Sequence, residues 1–111
     1  MSHTIKLGLD LIQTQTLIEK LMLDKIKAKK LDTYQIEVGE KLVVVTTYEK
    51  YFTRAANEAS LTVTIDSINK FTRVHFVAAA GGSWLGKLDF AAEEDFESFI
   101  QKELETYKIN D

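Results

Sequence analysis

The sequence predicts an α+β fold: a five-stranded antiparallel sheet with two helices on one face, in the order β-α-β-β-β-β-α. Three observations predict it. Residues 61–82, LTVTIDSINKFTRVHFVAAAGG, read as two long strands folded back on each other and ending at a glycine pair. Residues 33–50 read as two strands joined by a two-residue turn at Gly39-Glu40. Apolar residues recur at helical spacing in one segment near the N-terminus and another at the C-terminus.

His3 to Leu9 alternates, with Ile5, Leu7 and Leu9 on one face and Thr4 and Lys6 on the other, which predicts a short first strand. Gly8 within it marks a bulge or a close approach of another backbone. Asp10 suits a helix cap. From there to about Lys30 the pattern is helical, with Leu11, Ile18, Leu21, Met22 and Ile26 in one stripe and Leu17 and Leu23 at its margins. Lys25, Lys27, Lys29 and Lys30 crowd the end of this helix, where cations complement the helix dipole.

Leu31-Asp32 reads as a connector and Thr33 to Val38 as the second strand. Gly at the first position of the Gly39-Glu40 turn suits a type II′ hairpin. The third strand then runs from Lys41 to about Lys50, with Ile36 opposite Val43 and Tyr34 opposite Val45. The other face of this hairpin carries Gln35, Glu37, Leu42, Val44 and Thr46. Residues 48–59, YEKYFTRAANEA, satisfy two patterns: helical spacing, or a continued strand with a turn near Ala56-Asn57. Strands on both sides and the need for an antiparallel connection favour the strand.

In the 61–82 hairpin, Leu61 faces Ala78, Val63 faces Phe76 and Ile65 faces Val74, all on one face. The opposite face pairs Thr62 with Val77, Thr64 with His75, and Asp66 with Arg73. A slip by one residue would send Val63 and Ile65 to the polar side, so the register is well specified. The turn is either tight at Asn69-Lys70 or a four-residue loop from Ser67 to Lys70. Gly81-Gly82-Ser83-Trp84-Leu85-Gly86 follows, and Asp89 then suits the cap of a last helix with a stripe of Ala92, Phe96, Phe99, Ile100, Leu104 and Tyr107.

Composition narrows the function classes. A chain of 111 residues is one domain, 1–111, long enough for a core without staples. It has no Cys, so disulfides and thiolate chemistry are out, and a reducing compartment fits. The formal net charge of −3 argues against a nucleic-acid partner. No apolar run approaches the roughly 20 residues of a membrane span, and the start lacks the pattern of a signal peptide. The expectation is a cytoplasmic protein with no membrane partner.

The motifs for chemistry are sparse. The glycine-rich loop lacks the Gly-Lys-Ser/Thr ending of a phosphate loop, and Glu93, Glu94 and Asp95 would repel an anion at the next helix start. A turn that makes room for Trp84 accounts for it better. His3 and His75 are the only imidazoles. His75 has Asp66 on its face, and Glu37 if their strands neighbour, but no ligand spacing of a metal site. Nothing supplies a nucleophile or an oriented partner for it. No catalytic residue, metal site or cofactor is assigned, and the balance is against an enzyme.

The element order resembles one repeat of the TATA-box-binding-protein-like fold, and also a shortened helix-grip (Bet v 1-like) domain. The helix-grip resemblance implies an apolar ligand held between sheet and last helix. YEKYFTRAANEASLTVTI, GGSWLG and the acidic start of an aromatic helix together resemble a small bacterial domain family of unknown function. That resemblance implies a standalone bacterial protein and brings no activity.

Two functional expectations follow. The first is a non-enzymatic protein that self-associates or binds a protein partner through its sheet. Leu42, Val44, Ile68, Phe71 and Val77 are too many apolar residues for an outer face meeting water. The second is a carrier of a small apolar ligand, lined by Phe76, Trp84, Phe96 and Phe99 and gated by the loop at 81–86.

Overall fold

Five stretches of this chain come together in one sheet. The computed structural model describes residues 2–52, 57–80, 98 and 100–109. Its strands are β1 (Ser2–Leu7), β2 (Lys29–Val38), β3 (Lys41–Phe52), β4 (Asn57–Asp66) and β5 (Thr72–Ala80). All pair antiparallel, in the order β1-β5-β4-β3-β2. Strands β2 to β5 form a meander. Helix α1 (Leu11–Lys20) carries the chain from β1 at one edge to β2 at the other. A second helix, α2, is helical at 98 and over 100–104, which completes the order β-α-β-β-β-β-α.

The registers follow the predicted pairs. Leu61 lies opposite Ala78, Val63 opposite Phe76, Ile65 opposite Val74 and Asp66 opposite Arg73. Ile36 meets Val43 and Tyr34 meets Val45. Gly39 has φ 61°, as the first position of a type II′ turn requires. The strand alternative holds for 48–59: β3 continues to Phe52 and β4 begins at Asn57, with 53–56 outside the described residues.

Helix α1 starts at a capping box. The Gln13 N–H donates to Asp10 Oδ1 at 2.7 Å, and the Asp10 N–H donates to Gln13 Oε1 at 3.1 Å. Such a cap contributes about 1 kcal/mol. The predicted helix stops short of Lys30. After Lys20 it widens into a π turn, Leu21–Lys25, and Lys27 takes the left-handed conformation at φ 64°. Lys29 and Lys30 already belong to β2, opposite Glu49 and Tyr48. Pairing along the long β3 strand overrides the helical preference of this Lys-rich segment, as tertiary context commonly does. Leu31, expected in a connector, is a bulge inside β2, between the paired Lys30 and Asp32. The lysines therefore part company: Lys25 pairs with Glu103 at 3.5 Å, Lys30 pairs with Glu19, and a different cation, Lys50 of β3, donates to the terminal Ile26 carbonyl.

One face of the sheet carries the core. Val44 and Tyr48 of β3, Leu61, Val63 and Ile65 of β4, and Val74 and Phe76 of β5 are buried with Ile5 and Leu7 of β1. Leu11, Ile18, Leu21, Met22 and Ile26 cover them from α1 and its π turn, and Ile100 and Leu104 from α2. Each large apolar side chain so buried contributes about 2 kcal/mol. Thr14 of α1 is fully buried here and its hydroxyl has no hydrogen-bond partner among the described residues. The predicted last stripe ends early: Tyr107 is 38% exposed, in a 3-10 turn at Glu105–Tyr107. Asp89, Ala92, Phe96 and Phe99 lie outside the described residues.

The close backbone approach expected at Gly8 is present. Its N–H donates to the Tyr107 carbonyl at 2.9 Å, and the Ile109 N–H donates to the Lys6 carbonyl at 2.8 Å. These bonds tie the C-terminal segment alongside β1, where Lys108 bridges Leu7. Among the described residues, no helix is long and apolar enough to cross a membrane.

Candidate interaction face of the sheet

Strand β2 is the edge of the sheet opposite β1, and all ten of its residues are exposed. Among the described residues, neither helix covers it. Beyond the bulge its even-numbered residues face away from the helices: Tyr34 is 59% exposed, Ile36 42% and Val38 67%. Their neighbours across the ladder, Val45 and Val43, are half-buried. A small apolar patch therefore lies along one edge of the outer face, beside a row of backbone groups with no sheet partner. Exposed edges of this kind invite another strand.

Elsewhere the outer face carries Tyr51 and Val77 as exposed apolar residues, and its centre is polar with its side chains paired to one another. Thr47 lies opposite Thr62, and Thr64 opposite His75. His75 Nδ1 is 2.8 Å from the Thr4 hydroxyl, on the strand at its other side. Asp66 is buried at 7% exposure and takes Arg73 in a two-point pair, Nε to Oδ2 at 2.9 Å and Nη2 to Oδ1 at 3.3 Å. Its Oδ1 also accepts the Ile68 N–H at 3.2 Å. Asp66 is thus taken up by Arg73 and Ile68, and the His75 ring by Thr4. Glu37 is distant from His75: it belongs to β2, three strands from β5, with its side chain on the inner face opposite Leu42. Among the described residues, no three His, Asp or Glu side chains gather as metal ligands would.

The proposed interface residues are not brought together. Val44 is fully buried in the core, in register with Ile65, and Leu42 packs against that core. The face expected to be outer in the β2–β3 hairpin is the inner one. Both faces of β3 are apolar, Leu42 and Val44 on one and Val43 and Val45 on the other, so its own pattern does not choose. Its register with β4 does: Val44, Thr46 and Tyr48 align with Ile65, Val63 and Leu61. Ile68, at 43% exposure, and the half-buried Phe71 lie in the β4–β5 connection at one end of the sheet, where the Lys6 ammonium stands 4.8 Å from the Phe71 ring centre. Only Val77, at 37% exposure, is on the outer face of a strand as expected. Sequence reasoning passed over Tyr34, Ile36 and Val38, whose alternation with Thr33, Gln35 and Glu37 looks like a core-facing strand.

The proposed ligand-lining residues separate too. Phe76 is fully buried and stacks on His3, ring centres 5.2 Å apart. Trp84, Phe96 and Phe99 lie outside the described residues, as does the loop at 81–86. Two recesses, of about 340 and 430 Å³, flank the ends and outer side of α1, and Phe76 lines neither.

Beside Tyr48, where the cover of α1 gives out toward β2, Glu19 and Lys30 form their ion pair. Burial, with the nearby Glu19 carboxylate adding to it, pushes the Tyr48 phenol up to about 12. The phenol stays neutral there, as a wall of the core.

The chain belongs to DUF6054, a family of unknown function, whose sequence model matches residues 8–108. The match takes in both helices and β2 through β5. No curated protein and no solved structure matches the chain.

Proposed function

We propose that this is a non-enzymatic protein that works by self-association through its sheet, with β2 as the contact strand. The observation that carries this reading is the condition of β2: ten consecutive exposed residues at a sheet edge, with Tyr34, Ile36 and Val38 in line on one face. Natural sheets usually blunt such an edge with Pro, charges aimed inward or a covering segment. Here the bulge at Leu31 and the inward-facing Glu37 are such devices, but residues 32–38 keep an apolar row and a free edge. The polar centre of the outer face, with its Asp66–Arg73 and Thr4–His75 contacts, supports a sheet used for contact and not for chemistry.

The test is the solution mass by light scattering over a tenfold concentration range, for the wild type and for Ile36→Lys. The wild type is expected to be a dimer or larger. Ile36→Lys, a change at an exposed position, is expected to keep its circular dichroism and become monomeric. A wild type that is monomeric throughout, or a lysine variant that associates unchanged, would overturn the proposal.

A further inference from the structure

We infer that two copies of the chain join their β2 strands antiparallel about a two-fold axis at Gln35, so that the two sheets become one. This rests on the self-association proposed above and adds the partner's register.

Three observations fix that register. The first is hydrogen-bond direction. Val38 and Lys41 flank the two-residue turn, so they exchange both ladder bonds, and every second residue back along β2 does the same. Val38, Ile36 and Tyr34 thus point their backbone groups at β3. Thr33, Gln35 and Glu37 point theirs out at the free edge. A two-fold antiparallel ladder sets outward residues against outward residues, so its axis passes through a residue of 33–37 and not between two.

The second is the extent of the regular strand. The bulge at Leu31 ends it on one side and the turn at Gly39 on the other, leaving 32–38. The midpoint of that stretch is Gln35, an outward-bonding residue. Pairing about Gln35 uses the whole stretch, with Thr33 opposite the mate's Glu37. It also sets Tyr34 opposite the mate's Ile36 on the outer face, and the reverse. Aromatic with β-branched is a favourable cross-strand pair, and in a non-hydrogen-bonded position the side chains lie closer.

The third is charge. The strand begins with Lys29 and Lys30, and its other end and turn carry Glu37 and Glu40. Antiparallel pairing brings the basic end of one copy to the acidic end of the other. Parallel pairing would set lysine beside lysine.

The chain has no Cys, so single introduced cysteines report position without background. Gln35→Cys is expected to form a disulfide-linked dimer under mild oxidation, because directly paired Cα atoms lie about 5.5 Å apart. Thr33→Cys is expected not to, since its own copy lies four positions along, roughly 13 Å away. Thr33→Cys mixed with Glu37→Cys is expected to cross-link. Gln35→Pro, which removes only an outward N–H, is expected to stay folded by circular dichroism and to be monomeric. Preferential cross-linking of Thr33→Cys, or of Val77→Cys, in a protein that is dimeric would overturn the register and leave self-association standing. A monomeric wild type would overturn both.

Discussion

Strands β2 and β4 are both ten residues long, and both alternate polar with apolar residues. In β4 the alternation has the consequence usually assumed for it: Leu61, Val63 and Ile65 are buried, and Thr62 and Thr64 between them are half-exposed. In β2 no residue is buried, and the apolar row of Tyr34, Ile36 and Val38 faces out. The difference teaches that alternation decides which residues share a face, whereas the place of a strand in the sheet decides whether either face is covered. Strand β4 is flanked on both sides by strands and covered by α1. Strand β2 has one neighbouring strand and, among the described residues, no cover.

The largest effect that tests this contrast is a lysine placed in each apolar row. Val63→Lys puts an unpaired charge into the core at a position with 1% exposure. It is expected to cost about 4 kcal/mol or more, comparable to the whole stability of a domain this size. Ile36→Lys is expected to change the stability of the single chain by no more than about 0.5 kcal/mol. Urea unfolding of both variants at low protein concentration makes the comparison. Similar losses would mean that β2 is covered after all.

A second, smaller effect marks where the cover ends. Tyr48 lies on β3 between the two strands, and burial pushes its folded phenol up to about 12, against about 10 for a solvated tyrosine. Below pH 10 the phenol is neutral in both states and its contribution to stability is complete. Between pH 10 and 12 the unfolded chain ionises first, so stability falls as pH rises, by about 2–3 kcal/mol in all. Tyr48→Phe is expected to remove that part of the alkaline loss, measured by urea unfolding at pH 9 and pH 11.5. An unchanged pH slope would show Tyr48 to be as solvated as an edge residue.

The smallest effect concerns the cover itself. Thr14 turns a hydroxyl with no partner among the described residues into the core from α1. Thr14→Val keeps the shape and removes the hydroxyl, and is expected to raise stability by about 1 kcal/mol, or about 4 °C in Tm. A loss of stability would show that the hydroxyl is satisfied in solution.

Much of the fold was legible from local pattern. The β4–β5 register could be read because only one pairing keeps Val63 and Ile65 on the face of Val74 and Phe76. The β2–β3 register could be read because Gly39-Glu40 fixes it. Asp10 announced its helix by side-chain chemistry alone. What failed was non-local. The end of α1 depends on how far β3 extends to pair with Lys29 and Lys30. The face of β3 that meets the helices depends on its alignment with β4, and Leu42, Val43, Val44 and Val45 are apolar in both directions. The interface was therefore assigned to Val44, in the core, and not to Ile36, two strands from β4 at the edge. An uncovered edge has no signature in a strand's own residues.

The central claim is that β2 is covered by a second copy in solution. Amide hydrogen exchange at Thr33, Gln35 and Glu37, measured at high protein concentration and again after dilution, tests it most directly. Strong protection when concentrated, lost on dilution while the β4 amides stay protected, is the result this account predicts. Fast exchange at these three amides at every concentration would contradict it.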